Sequence, residues 1–227
     1  MRKLLVVVGC LLLAACGTTS NTRIAAKVEA PKPGARVLIV KPDIELAVLG
    51  VAVVEPKADW SEAAITNVTA EVGKVLSDRD HTFTPFDAVQ SMGGRGGQVL
   101  RLHEAVGQSI ALFSYGPLKM PTKKDAFDWT LGEGAVAFGK ENNADYALFS
   151  VGRGTYASGG RVAAAIGMSL LGVGMPLGSQ RAFASLVDLK TGKVVWFNVS
   201  LAGSNDDMRE PDGAKRLVAG LLKDVPL

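Results

Sequence analysis

The chain has 227 residues, of which 48% are hydrophobic, 21% charged and only 6% aromatic. This length and hydrophobic content fit one large globular domain, with or without appendages, and exclude wholesale disorder. The formal net charge of +3, with two Cys and two His, argues against a nucleic-acid binder, a disulfide scaffold and a Cys/His zinc site. We therefore predict no cofactor, no metal ion and no nucleic-acid partner.

Residues 1–15 are predicted to be a signal peptide. Two basic residues precede an apolar run over 4–13, which is shorter than the roughly 20 residues that a membrane-spanning helix needs. The run ends in Leu-Ala-Ala-Cys at 13–16, which resembles the bacterial lipobox. We therefore predict cleavage between Ala15 and Cys16 and lipidation of Cys16. The alternative is an ordinary secretory signal with an incidental cysteine.

Gly17 indicates the destination of the lipidated chain. In the sorting pattern of Gram-negative lipoproteins, an Asp after the lipidated Cys retains the protein in the inner membrane. Gly17 instead predicts a lipid-anchored protein of the outer membrane that faces the periplasm. Residues 16–35, rich in Gly, Thr, Ser, Lys and Pro, are interpreted as the lipidated Cys and a flexible tether, and residues 36–227 as a periplasmic domain.

The domain alternates between predicted strands and helices. Hydrophobic patterning predicts strands at 37–40, 46–54, 81–86 and 144–151, and helices from Asp59, over 99–113, over 129–140 and from Pro211. The clearest hairpin joins 181–189 to 193–201 around Gly192, which can adopt the positive φ of a tight turn. Together these elements predict a single α/β domain with a mixed β-sheet flanked by helices.

Residues 162–180 carry no charge and read VAAAIGMSLLGVGMPLGSQ. A helix over 162–175 would be about 21 Å long, short of the roughly 30 Å hydrocarbon core. Three interpretations stay open: burial on the sheet or in an oligomer contact, an element that inserts into or rests on a membrane, and a membrane-spanning β-hairpin. Because an exposed apolar patch is costly, we expect the segment to be covered. The candidate membrane or oligomer contacts are Val162, Ile166, Leu170, Leu171, Val173 and Leu177.

Patterns typical of enzymes are missing from the sequence. It contains neither Gly-x-Ser-x-Gly nor His-Glu-x-x-His, and the glycine-rich stretch 93–97 lacks the Lys-Ser/Thr of a phosphate-binding loop. We interpret that stretch as a turn that opens a helix, His103 as a structural side chain and the acidic loop 206–210 as solvated. We therefore predict no catalytic residues and a protein that is not an enzyme.

Two stretches resemble a known family. ADYALFSV at 144–151, followed by ASLVDLKTGKVVW at 184–196, is similar to the core of envelope lipoproteins related to the curli-secretion channel lipoprotein CsgG. VLIVKP at 37–42 resembles the first strand of that fold, which is also found in LpoB and in the N-terminal domain of TolB. The resemblance implies a sheet flanked by helices and action through assembly or partner contact rather than catalysis.

Two functions are predicted on this basis. The first is an outer-membrane lipoprotein whose periplasmic domain binds another envelope protein or its own copies. The second is an oligomeric, membrane-inserting subunit of a secretion channel that uses residues 162–180, where the channel protein places its first membrane-spanning hairpin. An envelope hydrolase with a non-standard site is a third, less favoured possibility.

Overall fold

The computed structural model describes residues 19–24, 30–77, 79–87, 93–123, 126–203 and 206–227. The predicted signal peptide over 1–15 and Cys16 lie outside these residues. Eight strands lie in the described part of the chain: β1 (Thr19–Ile24), β2 (Arg36–Val40), β3 (Asp43–Leu49), β4 (Val54–Pro56), β5 (Thr82–Phe86), β6 (Tyr146–Ala157), β7 (Gly178–Asp188) and β8 (Lys193–Leu201). Five helices accompany them: α1 (Ala58–Ser77), α2 (Arg95–Ser114), α3 (Gly132–Glu141), α4 (Gly159–Ser169) and α5 (Pro211–Leu221).

The strands form one mixed sheet in the order β1-β8-β7-β6-β2-β5. β2 is parallel to both β5 and β6, whereas β6, β7, β8 and β1 pair antiparallel in succession. β3 continues along β6 beyond the end of β2, and β4 folds back on β3. The predicted fold class, a single α/β domain with a mixed sheet, is confirmed.

Helices cover both faces of the sheet. α1 and α5 pack on one face, in a core that contains Leu186 and Trp196, and α2 and α3 pack on the other, over Phe149 and Phe197. Trp196 and Phe197 are neighbours in β8 and point to opposite faces, and both are fully buried. Each such side chain stabilises the fold by about 1.5–3 kcal/mol. The central strands therefore give fixed positions to the segments that leave their ends.

The predicted strand over 46–54 is wrong in its extent. β3 ends at Leu49, and a turn closed by the Gly50 N–H donating to the Val53 carbonyl at 2.8 Å leads into β4. The run of apolar residues there is therefore divided by a turn, which leaves Val51 and Val53 exposed. The hairpin around Gly192 is confirmed, with a φ of 72° at that residue.

The flexible tether predicted over 16–35 does not continue through residues 19–24. They form β1, antiparallel to β8, with Thr19 beside Leu201. The segment TSNTRI has little apolar pattern of its own, and it becomes a strand because it pairs with the outer edge of β8. The rest of the predicted tether before residue 30 lies outside the described residues. None of the helices in the described ranges is both long and apolar enough to cross a bilayer.

Candidate functional site

The uncharged segment of the sequence leaves the sheet between β6 and β7. We call residues 159–177 the apolar arm; it consists of α4, a turn over 170–172 and an irregular stretch that leads into β7. The Ser158 hydroxyl caps α4 by accepting a hydrogen bond from the backbone N–H of Arg161 at 3.1 Å. Gly172, with a φ of 77°, reverses the chain after the helix. The apolar arm thus stands at the tip of the long β6–β7 ribbon.

The predicted contact residues of the apolar arm are exposed. Leu170 is 84% exposed, Leu171 76% and Ile166 62%, and the other three are each more than a third exposed. Burial of the segment on the sheet is therefore the wrong interpretation, since the residue that α4 buries is Arg161. Residues 159–169 also form a helix where a β-hairpin would need a strand. Contact with a membrane or with another chain stays a prediction.

Arg161 fixes the apolar arm to the sheet at the place where the arm begins and ends. Its side chain is buried, and it donates from Nε to the Pro176 carbonyl at 2.8 Å and from Nη1 to the Gly50 carbonyl at 3.0 Å. Backbone bonds reinforce the same place, because the Ala157 N–H donates to Leu177 and the Ser158 N–H to Leu49. The apolar arm is therefore fixed to β3 and β6. The sequence analysis missed this role, because no sequence pattern shows which carbonyls a buried Arg will meet.

Other apolar side chains are exposed at the same end of the sheet. Val51 and Val53 belong to the turn that Gly50 ties to Arg161, and Leu201 ends β8 opposite Arg181 of β7. All three apolar side chains are more than half exposed. We call these three residues and the apolar arm together the apolar end of the domain. The sequence analysis singled out the apolar arm but not the three residues around it.

A polar cluster supports the β6–β7 ribbon just below the apolar arm. The Tyr156 hydroxyl donates to the Asp207 carboxylate at 2.8 Å, and the Arg209 guanidinium lies 3.6 Å from the centre of the Tyr156 ring and 4.4 Å from that of Trp60. Burial, together with the Asp207 carboxylate, raises the pKa of Tyr156. Asp206 is 3% exposed and accepts from the Gly203 N–H. The prediction of a solvated acidic loop is therefore wrong for Asp206 and Asp207, which are structural.

His103 has the surroundings of a structural side chain, as predicted. Its Nε2 lies 2.6 Å from the Ser185 Oγ and its ring stacks on Phe149 with centroids 4.1 Å apart. Both His103 and Ser185 are 1% exposed, and burial lowers the pKa of His103 to about 3. This histidine, which belongs to α2, is therefore neutral and buried between α2 and the sheet. Among the residues that the structure describes, no group of three or more His, Cys, Asp and Glu is arranged to hold a metal ion.

Comparisons with known proteins found similar solved structures at low sequence identity. No family model matches the chain, and no curated protein matches it. It is similar to the PelC dodecamer from Paraburkholderia phytofirmans, at 15% identity and a TM-score of 0.39, over 90% of this chain and 94% of that one. It is also similar to the LpoB C-terminal domain from Salmonella enterica, at 12% identity and a TM-score of 0.28, over 79% and 88%. At TM-scores below 0.5, neither assembly state nor partners carry over to this chain.

Proposed function

We propose that this chain is an outer-membrane lipoprotein that works by contact rather than by catalysis. Cys16 carries the lipid, and the α/β domain holds another envelope protein, or further copies of itself, at the periplasmic side of the membrane. This is the function that the lipobox-like residues 13–16 and the exposed surface of the domain favour together.

The observation that carries the proposal is the apolar end. A folded domain with helices on both faces of its sheet has no structural need for an exposed apolar helix, and large patches of this kind mark interaction sites. The apolar arm has a defined place as well, because buried Arg161 bonds to two carbonyls outside α4. A fixed apolar surface of this kind favours a contact function in the envelope.

The charged side chains near the sheet also favour contact over catalysis. Arg153 donates to the carboxylates of Asp43 at 2.9 Å and Glu104 at 2.8 Å, so its positive charge is paired within the fold. Arg36 makes a similar pair with Asp145 at 3.0 Å and holds the pKa of that carboxyl well below its ordinary value. These groups join strands and helices, so their charges are used in the fold itself.

The lipid anchor is tested by metabolic labelling with a palmitate analogue, followed by membrane fractionation. Wild-type chain should take up label and sediment with outer membranes, whereas Cys16→Ser should remain unlabelled. Labelling of the Cys16→Ser variant, or an unlabelled wild type, would overturn the anchor.

The contact function is tested by chemical cross-linking of the lipidated chain in intact cells. We expect adducts with a second envelope protein or with further copies of the chain. Recovery of the monomer alone, from cells in which a known envelope complex is cross-linked efficiently, would contradict the proposal.

A second candidate is a channel-like subunit that inserts the apolar arm into a membrane. The position of the apolar arm at the tip of two long paired strands favours it, because oligomerisation could place many tips side by side. This candidate requires a ring-shaped oligomer in detergent and a conductance that Leu171→Asp abolishes. A monomer in detergent, or conductance unchanged by Leu171→Asp, would exclude it.

A further inference from the structure

The strand register brings the N-terminus and the apolar arm to the same end of the sheet. Thr19 of β1 lies beside Leu201 of β8, and Leu201 lies beside Arg181 of β7. The apolar arm joins β7 at Gly178, three residues before Arg181. The chain therefore enters the described domain at the apolar end.

The covalent chain limits how far a lipid on Cys16 can lie from this end. Three residue steps from Thr19 to Cys16 span at most about 11 Å in any conformation. β1 and β7 are two strand spacings apart, about 10 Å, and the three residues from Arg181 to Gly178 cover roughly another 10 Å along the strand. A bilayer that holds the Cys16 lipid is thus held within reach of the tip of the ribbon.

We propose that the apolar arm rests in the surface of the bilayer that holds the Cys16 lipid. The inference depends on the lipidation of Cys16 proposed above, and it names lipid as the cover of the apolar arm. Val51, Val53 and Leu201, the rest of the apolar end, then stay exposed for protein contact. α4, at about 16 Å, is too short to cross the hydrocarbon core, but helices that lie in the interface bury their apolar side chains by about 5–10 Å.

Two arginines near the apolar end fit this placement. Arg161, the one charged residue of the apolar arm, is buried against backbone carbonyls and does not face outward. Arg181 is exposed three residues from the tip of the ribbon, at the level where lipid phosphates would lie above the buried apolar side chains. A cation at that depth, with apolar side chains beyond it, is the arrangement of an interfacial membrane contact.

The opposite end of the domain provides a matched control. Lys140 is exposed in the last turn of α3, which packs beside Leu189 near the β7–β8 turn. The eleven residues of β7 separate this place from the apolar arm by roughly 35 Å. A probe at Lys140 therefore reports on the surface farthest from the proposed membrane.

The experiment measures the depth of two fluorescent probes on the mature lipidated protein in vesicles of phosphatidylethanolamine and phosphatidylglycerol. Ile166→Cys and Lys140→Cys are each labelled with an environment-sensitive dye, and lipids with quenchers on their acyl chains are added. We expect blue-shifted emission and strong quenching at position 166 and neither at position 140. Adding Leu170→Asp and Leu171→Asp should lower the quenching at 166 by about threefold or more, while the protein stays bound through its lipid.

The outcomes separate the inference from the proposed function. Wild-type protein should not react with the dye, because the sulfur of Cys16, the one cysteine left after cleavage, would carry the lipid. Dye on Cys16 would overturn the proposed lipidation itself. If the wild type is unreactive and vesicle-bound, equal, weak quenching at both labelled positions of the variants would overturn the placement of the apolar arm alone. A blue shift at 166 without lipid quenching would show a protein cover and would also overturn it.

Discussion

Two helices of this domain have the same length and opposite surroundings. α4 and α5 each contain eleven residues. α5 buries its apolar face against α1 and the sheet, whereas α4 leaves its apolar side chains exposed and buries Arg161. α5 is amphipathic, as a helix on the surface of a globular domain usually is.

The difference shows that exposure of the apolar arm is not a failure of packing. A helix that is apolar on all sides belongs in a large core or against a membrane. In α4, Val162, Ile166 and Met168 are surrounded in sequence by Ala and Gly. Within the domain, α4 is attached through buried Arg161 and through the backbone bonds at the two ends of the apolar arm. The remainder of α4 is suited to a surface outside the chain, while α5 completes the core.

The largest contrast is expected between aspartate substitutions in the two helices. Leu217→Asp places a charge in the core under α5, where Leu217 is 1% exposed, and should cost more than about 4 kcal/mol or prevent folding. Leu171→Asp, at an exposed position, should change the free energy of unfolding by less than about 0.5 kcal/mol. Urea unfolding followed by circular dichroism measures both. Similar losses for the two variants would show that the apolar arm is part of the core.

Acid should destabilise the buried core of the domain through His103. Its pKa is about 3 in the folded protein and near its ordinary value of 6.5 in the unfolded chain, so the unfolded state binds the proton first as the pH falls. Stability is therefore full above pH 6.5 and should fall by roughly 2 kcal/mol between pH 6.5 and 4.5. His103→Gln, which cannot titrate, should be less stable overall but should have a flatter profile in this window. An unchanged profile would exclude His103 as the cause.

Loss of the buried Arg161 guanidinium should weaken the attachment of the apolar arm to the sheet. Arg161→Ala leaves the Pro176 and Gly50 carbonyls without their donor and should cost about 1–3 kcal/mol. In hydrogen exchange, Arg161→Ala should speed up the exchange of the α4 amides relative to wild type more than that of the α5 amides. Arg161→Lys, which keeps one cationic donor, should lose less protection. Equal protection in wild type and Arg161→Ala would mean that other contacts hold the apolar arm.

Two glycines of the apolar arm should respond in opposite directions by small amounts. Gly172→Ala must adopt a φ of 77° and should loosen the turn by about 1 kcal/mol. Gly167→Ala lies inside α4, where an added Cβ meets nothing within 4 Å, and should stabilise the helix by about 0.5–1 kcal/mol. Exchange rates of the α4 amides measure both effects. Changes of the same sign would contradict the described conformation of the turn.

The sequence predicts the regular parts of the fold better than the apolar end. The β7–β8 hairpin and α5 have strong local signals, namely apolar alternation around Gly192 and helical spacing after Pro211, and both are present in the structure. β1 has no such signal, because a polar strand at a sheet edge is stabilised by its partner rather than by its own side chains. The uncharged run 162–180 identifies most of the apolar arm in the sequence, but the exposure of the arm depends on Arg161 and on the turn after β3.

The central claim is that the apolar arm is covered in the envelope. Single Cys substitutions at Leu170 and Lys140 in the mature lipidated chain can be reacted in intact cells with a maleimide small enough to pass the outer membrane. The account predicts slow labelling at position 170 and fast labelling at position 140, although both side chains are exposed on the isolated chain. Equally fast labelling at both positions would contradict it.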